Sequence, residues 1–461
     1  MRTLIIVSLL LCLPAGPALA QRRQPKARPA PQPKEQKLFP YQYAMDDLPN
    51  GLKLITVPTD YPNLVALYIV VRTGSRNEVE PGKSGYAHLF EHLMFRGSEN
   101  FSAEERNAIL KRAGAESNAY TTDDRTVYHE VFSKEDLNKI MELEADRFQR
   151  LQYEPGAYKT ETKAVLGEFN KNSADPEEKL YEVLRSTAYK KHTYEHTTMG
   201  YLKDVEDMPN QYDYSWQFYK RYYRPENTTV IVVGDVKRDD VLAMVTKYFG
   251  GWERGNYTPE IPREPAQTAP REEKIEWPST TLPYVTVAFR GPAYSDTEKD
   301  HAALDLVQAI AFGDNSDLYQ KLVLKEQKVE SLGAAFADRI DPELFFVQAR
   351  VKDPKDVDYV REQILATFKR YSTELIPQSE LNQTRSRILY SFALSMNSSE
   401  AIASILAPYI ALRGTPETLN KWGTLLSRIT PEEIRATAAR YFVDRNRTIV
   451  TLTQKGKGGA E

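Results

Sequence analysis

Cysteine is almost absent from these 461 residues; the single one, Cys12, sits in an apolar N-terminal run. Without that run no thiol remains. Disulfides and cysteine ligands are then both excluded, and any metal has to be held by nitrogen and oxygen. An excess of one charge is missing too. Lys and Arg number 61 against 64 Asp and Glu, a formal net charge of −3, so nothing marks a nucleic-acid or anionic-membrane partner. Beyond the N-terminal run no apolar stretch approaches the roughly 18 residues of a membrane-spanning helix. Histidine is scarce as well, with six in all. What is present, 41% hydrophobic and 27% charged residues, is the balance of a globular protein, long enough for two or three domains.

Met1-Arg2, the apolar run Leu4 to Leu13 and the small-residue sequence Ala18-Leu19-Ala20 read as a cleavable signal peptide over residues 1–20. Leu11 is bulky where lipidation at Cys12 needs a small residue, so a soluble product is expected, secreted across the inner membrane into the periplasm. Residues 21–38 are expected to be a Pro-rich basic spacer.

The remainder shows an internal repeat. Arg221-Tyr222-Tyr223-Arg224-Pro225-Glu226-Asn227 leads into the β-branched run Thr228 to Val233. At an offset of 219 residues, Arg440-Tyr441-Phe442-Val443-Asp444-Arg445-Asn446 leads into Arg447 to Leu452. Val65 to Val71, ending in Arg72-Thr73-Gly74, matches Val285 to Phe289, ending in Arg290-Gly291. An amphipathic helix follows each, Ser84 to Phe95 and Asp300 to Phe312. The expected fold is α+β, a tandem duplication of two similar domains, each a β-sheet packed with helices. The expected boundaries are 39–255 for the first domain, 256–278 for a Pro- and Glu-rich linker, 279–455 for the second domain and 456–461 for a tail.

The first of these helices carries the chemistry. Ser84 reads as its N-cap. His88 and His92 lie four residues apart, about 40° around the axis, so both imidazoles can reach one ion. Glu91 flanks the same face, and Leu89, Phe90 and Leu93 supply the packing face. Two histidines leave a zinc site one protein ligand short. The segment Glu161-Thr162-Lys163-Ala164-Val165-Leu166-Gly167-Glu168 offers two carboxylates seven residues apart on one helix face. One of them can bind the metal while the other orients the ligands, and Gly167 reads as a point of close backbone approach. Glu91 is placed to act as general base toward a metal-activated water.

A second H-x-x-E-H spelling, His192-Thr193-Tyr194-Glu195-His196, has Glu272 at the same 76-residue distance that separates His92 from Glu168. It lacks an apolar helical face, and no Glu precedes Glu272 by seven residues, so it reads as a coincidence of spelling. His129 reads as a strand-face residue. At the positions of His88, Glu91 and His92 the second-half helix, which begins near His301, holds Asp305, Gln308 and Ala309. That half reads as metal-free.

Gly85 and His88-x-x-Glu91-His92, then Asn118-Ala119 with Thr121 and Tyr128, then Glu161 and Glu168, then Arg224-Pro225 to Gly234-Asp235 together resemble the inverzincin peptidases, the pitrilysin, insulysin and mitochondrial-processing-peptidase family. The resemblance spans roughly residues 40–455. It implies a zinc endopeptidase with one zinc per chain on His88, His92 and Glu168, Glu91 as catalytic base and Glu161 behind the ligands; the alternative is a non-catalytic structural or assembly subunit, which the same family also contains. It also implies a peptide substrate adding to an edge strand near Asn118 and Ala119. In the family an Arg and a Tyr from the half opposite the zinc contact substrate. Here those positions align with Lys325 and Leu332, which can supply neither an Arg fork nor a hydroxyl. The expected partner is therefore a homologous non-zinc subunit supplying that pair, with a homodimer as the alternative.

Overall fold

The computed structural model describes residues 37–455. The expected signal peptide with Cys12, the spacer up to residue 36 and the 456–461 tail lie outside the described residues.

The β-branched runs form two sheets. The first contains β1 (Ala44–Asp47), β2 (Lys53–Pro58), β3 (Leu64–Val71), β4 (Glu116–Thr121), β5 (Thr126–Ser133) and β6 (Thr228–Gly234), in the order β1-β2-β6-β3-β5-β4. The second contains β7 (Arg271–Trp277), β8 (Tyr284–Arg290), β9 (Val329–Phe336), β10 (Leu344–Val351) and β11 (Arg447–Gln454), in the order β7-β11-β8-β10-β9. β2 pairs parallel with β6, and β7 with β11; every other pairing is antiparallel. Apart from β1, the two sheets match strand for strand in order and sense. The duplication extends to single hydrogen bonds. Asn227 and Asn446 each donate from Nδ2 to the carbonyl five residues earlier, Tyr222 and Tyr441, both at 2.9 Å. Each bond closes the turn that starts a central strand.

β7 falls inside the stretch expected to be linker. It is an edge strand, and Glu272, Glu273 and Lys274 point to solvent. Charged side chains protect such an edge from further pairing, and the same charges disguise the strand in the sequence.

The halves are interleaved. Helix Pro176–Ala188 of the first half packs on β7 and β11, burying Leu180, Leu184 and Ala188 against Val450 and Leu452. Helix Ser399–Arg413 of the second half packs on β3 and β6, where Ile402, Leu406 and Ile410, one turn apart, are fully buried. Each such side chain contributes about 1.5–3 kcal/mol of burial. Each sheet thus has one face covered by its own helices and the other by a helix on loan, and both belong to one compact unit.

A buried ion-pair network ties the halves further. Asp123, after β4, accepts from Arg185 Nη2 at 2.9 Å and lies 2.8 Å from Arg339 Nη2, while Glu343 lies 3.7 Å from Arg185 and 3.5 Å from Arg339.

Candidate metal centre

The helix that carries His88 and His92 runs from Tyr86 to Leu93 and is wedged into the first core. Phe90 stacks on Phe218 at 5.2 Å between centroids. Tyr128 Oη donates to the carbonyl of Phe90 at 3.1 Å and pairs with Tyr223 Oη at 2.7 Å. A helix fixed on this side can hold side chains steadily on the other.

Its start differs from the sequence reading. The N-cap is Gly85, with φ 87°, and Ser84 lies outside the helix. Ser84 Oγ instead donates to Asp204 Oδ2 at 2.6 Å and accepts from Tyr201 N at 2.8 Å. A Cβ at Gly85 would fall 2.9 Å from the Met199 carbonyl oxygen, so backbone angle and crowding both demand glycine. Capping comes from Glu78, whose Oε2 and Oε1 accept from Gly85 N and Ala87 N, each at 2.7 Å. Burial pushes the Glu78 carboxyl up to about 8, against the pull of those two N–H groups.

Three donors converge. His88 Nε2 and His92 Nε2 are 3.4 Å apart, and Glu168 Oε2 lies 3.7 and 3.6 Å from them. Glu168 comes from helix Pro155–Asn172, which packs beside the histidine helix. Tetrahedral zinc with bonds of about 2.0–2.2 Å requires ligand–ligand edges of about 3.3–3.6 Å. The triangle fits, and its two imidazoles and carboxylate are zinc donors. Among the described residues no other group of three or more His, Cys, Asp or Glu converges in this way. Burial, with the neighbouring His92 as a second cause, holds His88 down at about 4, so its imidazole is neutral and ready to ligate at physiological pH.

Glu161, two turns before Glu168, has its Oε2 3.3 Å from His92 Nδ1 and its other oxygen paired with Arg96. Glu161 thus faces the ring nitrogen of His92 opposite the one in the triangle. Glu91 lines the adjoining cavity and accepts from Thr121 Oγ1 at 2.7 Å. Burial raises its carboxyl; the Thr121 hydroxyl and His92 oppose that rise, while Glu168 adds to it. Thr121 and Ala119 share a strand face by two-residue parity, which was the available clue that β4 reaches the base. Glu78 and Arg96 carried no comparable clue. Gly167 is not a point of close approach, because space beside it is open.

The cavity over the triangle measures about 420 Å³. It is lined by His88, Glu91 and Glu168, by Tyr120 to Asp123, and by Arg339 of the second half. Asn118 and Ala119 lie on β4, the edge strand, paired with His129 and Tyr128, and do not line this cavity. Lys325 is exposed at the end of a π-helical turn, and Leu332 is buried in β9 opposite Ala349; neither lines the cavity.

The second H-x-x-E-H spelling forms only a turn of 3-10 helix, and its side chains diverge. His192 Nδ1 accepts from Tyr194 N and its Nε2 meets Asp341, His196 Nδ1 meets the Thr197 carbonyl, and Glu195 accepts from Tyr201. Glu272 is on β7 beside Arg447. His129 stacks on Tyr68 across a strand pair, as a strand-face residue.

Comparison with known proteins places this arrangement. The family described as Insulinase (Peptidase family M16) matches residues 54–201, and the one described as Peptidase M16 inactive domain matches residues 211–388. A zinc protease, PqqE, of Helicobacter pylori is 28% identical over 412 residues, 88% of this chain and 91% of that protein. The crystal structure of a protease from Helicobacter pylori superposes with a TM-score of 0.84 at 27% identity, covering 90% of this chain and 100% of the other. The periplasmic protease PqqL from Escherichia coli shares the fold with a TM-score of 0.75 at 19% identity, over 90% of this chain but 48% of its own. Matched in both halves by this family's domains and carrying its His-His-Glu cluster, the chain belongs to the M16 family of zinc peptidases.

Proposed function

We propose that this chain is a zinc-dependent endopeptidase acting on peptides or unfolded segments, with Glu91 as its catalytic base. The observation that carries the reading is the His88, His92, Glu168 triangle with Glu91 beside it in one cavity. His88, His92 and Glu168 would hold the metal, with Glu161 orienting His92. Bound zinc supplies Lewis acidity toward a carbonyl and brings the pKa of a water near neutrality. Glu91, buried enough to be more basic than a surface carboxylate, takes the proton of the attacking water and delivers it to the leaving amine. Thr121 holds one oxygen of Glu91 in place meanwhile. The description "inactive domain" falls on residues 211–388 and not on the half that carries these groups. Replacing Glu91 with Gln should preserve metal content and abolish peptide hydrolysis; a variant that still cleaves at the wild-type rate contradicts the reading.

The finer parts of the proposal concern assembly and place. β4 leaves an open strand edge, which suits a peptide backbone adding near Asn118 and Ala119. PqqL is about twice the matched length, which supports a chamber completed by a second chain of this size. That chain is a homologous non-zinc subunit supplying the Arg and Tyr absent at Lys325 and Leu332, or a second copy. Full activity of the purified chain as a monomer would sink the two-chain proposal. The N-terminal sequence supports a periplasmic site, which fractionation of tagged protein tests.

A further inference from the structure

A second cavity, of about 970 Å³, shares no lining residue with the metal centre. Both halves build it. Arg76 and His192 come from the first, Arg290, Arg440 and Arg445 from the second, and Arg263 from the connection between them. Five arginines thus line one cavity, against two carboxylates, Glu264 and Asp341. The metal cavity is the reverse, with Glu91, Asp123, Glu168 and Glu178 against Arg339. In a chain whose net charge is −3, such a concentration of guanidinium is a local feature with a strong field.

Three of the five are already engaged. Arg76 Nε donates to Asp341 Oδ2 at 2.5 Å, Arg440 pairs with Asp300, and Arg290 lies 3.7 Å from Glu264 while donating to the Pro265 carbonyl. Arg263 and Arg445 are exposed and form no ion pair among the described residues. The same wall already captures one anion. Lys190 N, Lys191 N and His192 N converge on the Glu264 carboxylate at 3.0, 2.8 and 3.0 Å. Successive main-chain N–H groups aimed at one point are an anion nest, here filled by the protein's own carboxylate. What remains for a ligand is the positive charge of Arg263 and Arg445, with Arg290 between connection and sheet.

Guanidinium forks select phosphate and carboxylate groups, often bidentately. The volume lies at the upper end of the roughly 300–1,000 Å³ typical of small-molecule sites. We propose that this cavity binds a small polyanion, a molecule with two or more phosphate or carboxylate groups, held by Arg263 and Arg445. The site is independent of the peptidase reading and does not involve the metal.

Isothermal titration of the purified chain with inorganic triphosphate, and separately with citrate, tests this at moderate salt. One-to-one saturable binding of at least one probe is expected, stronger for triphosphate if the ligand is a phosphate compound and stronger for citrate if it is a carboxylate. The pair Arg263→Gln and Arg445→Gln should weaken it about tenfold or more, while an equal charge change at Lys111→Gln and Arg112→Gln should leave it within about twofold. Neither substituted arginine carries an ion pair, so circular dichroism should be unchanged. Absence of saturable binding for both probes, or equal weakening by the two pairs, overturns the proposal.

Discussion

Helix Tyr86–Leu93 of the first half and helix Lys299–Ala311 of the second occupy the same place after matching strands, β3 and β8. In the first, His88, Glu91 and His92 turn their polar atoms toward a cavity and a carboxylate from a neighbouring helix. In the second, the corresponding residues serve the fold. Asp305 accepts from Trp422 Nε1 at 2.9 Å, and Gln308 Nε2 donates to the Ala334 carbonyl of β9 at 3.0 Å. His301, buried one turn before Asp305, lies 3.5 Å from it and 3.3 Å from Asp338. One frame therefore carries two outcomes, decided by whether polar groups on a single helix are satisfied by neighbours or left free to meet a ligand. Fold supplies position, and side chains supply function.

The sharpest way to break this contrast is at the base. Glu91→Gln should lower kcat by about 10²–10⁴-fold with zinc content unchanged, measured on one peptide substrate. Gln308→Glu in the second half should add no activity and bind no metal. A smaller effect is expected behind the ligands: Glu161→Gln removes the negative charge beside His92 Nδ1 and should weaken zinc by about 10–100-fold in a competitive chelator titration.

The metal-free protein supplies a pH test. His88 is held down at about 4, below its ordinary value of 6.5. The unfolded chain therefore takes up a proton that the folded chain refuses. Stability of the apo form should fall as pH drops from 6.5 to about 4, by up to about 3 kcal/mol. Urea melts of His88→Gln should lack that part of the slope. In the second half, Asp305→Ala strips Trp422 of its acceptor and should cost about 1–3 kcal/mol without changing zinc content. The smallest effect belongs to the misleading motif. Glu195→Gln keeps an oxygen that can accept from Tyr201, so it should stay within about 0.5 kcal/mol and bind zinc normally.

Much of this was legible in the sequence. The i,i+4 histidines, the Glu161 and Glu168 pair and the duplicated turn at Asn227 and Asn446 are local patterns, and local patterns survive into structure. The missing pieces are non-local or disguised. Glu78 caps the histidine helix from seven residues before Gly85, across an intervening loop, and no spacing rule announces it. Ser84 looked like a cap because the positive φ of Gly85 is invisible in composition. The charges of β7 hide an edge strand, and the exchange of helices between halves depends on tertiary packing alone. The two H-x-x-E-H spellings show the same lesson: identical letters became a metal helix in one place and a 3-10 turn in the other.

In the proposed reading one half alone holds the metal. The most direct measurement is the zinc content of the dialysed full chain by mass spectrometry. One zinc per chain is predicted for the wild type and for the paired His192→Ala and His196→Ala variant, provided that it folds, and none for His88→Ala with His92→Ala. Zinc retained by the latter pair at full stoichiometry would contradict the account.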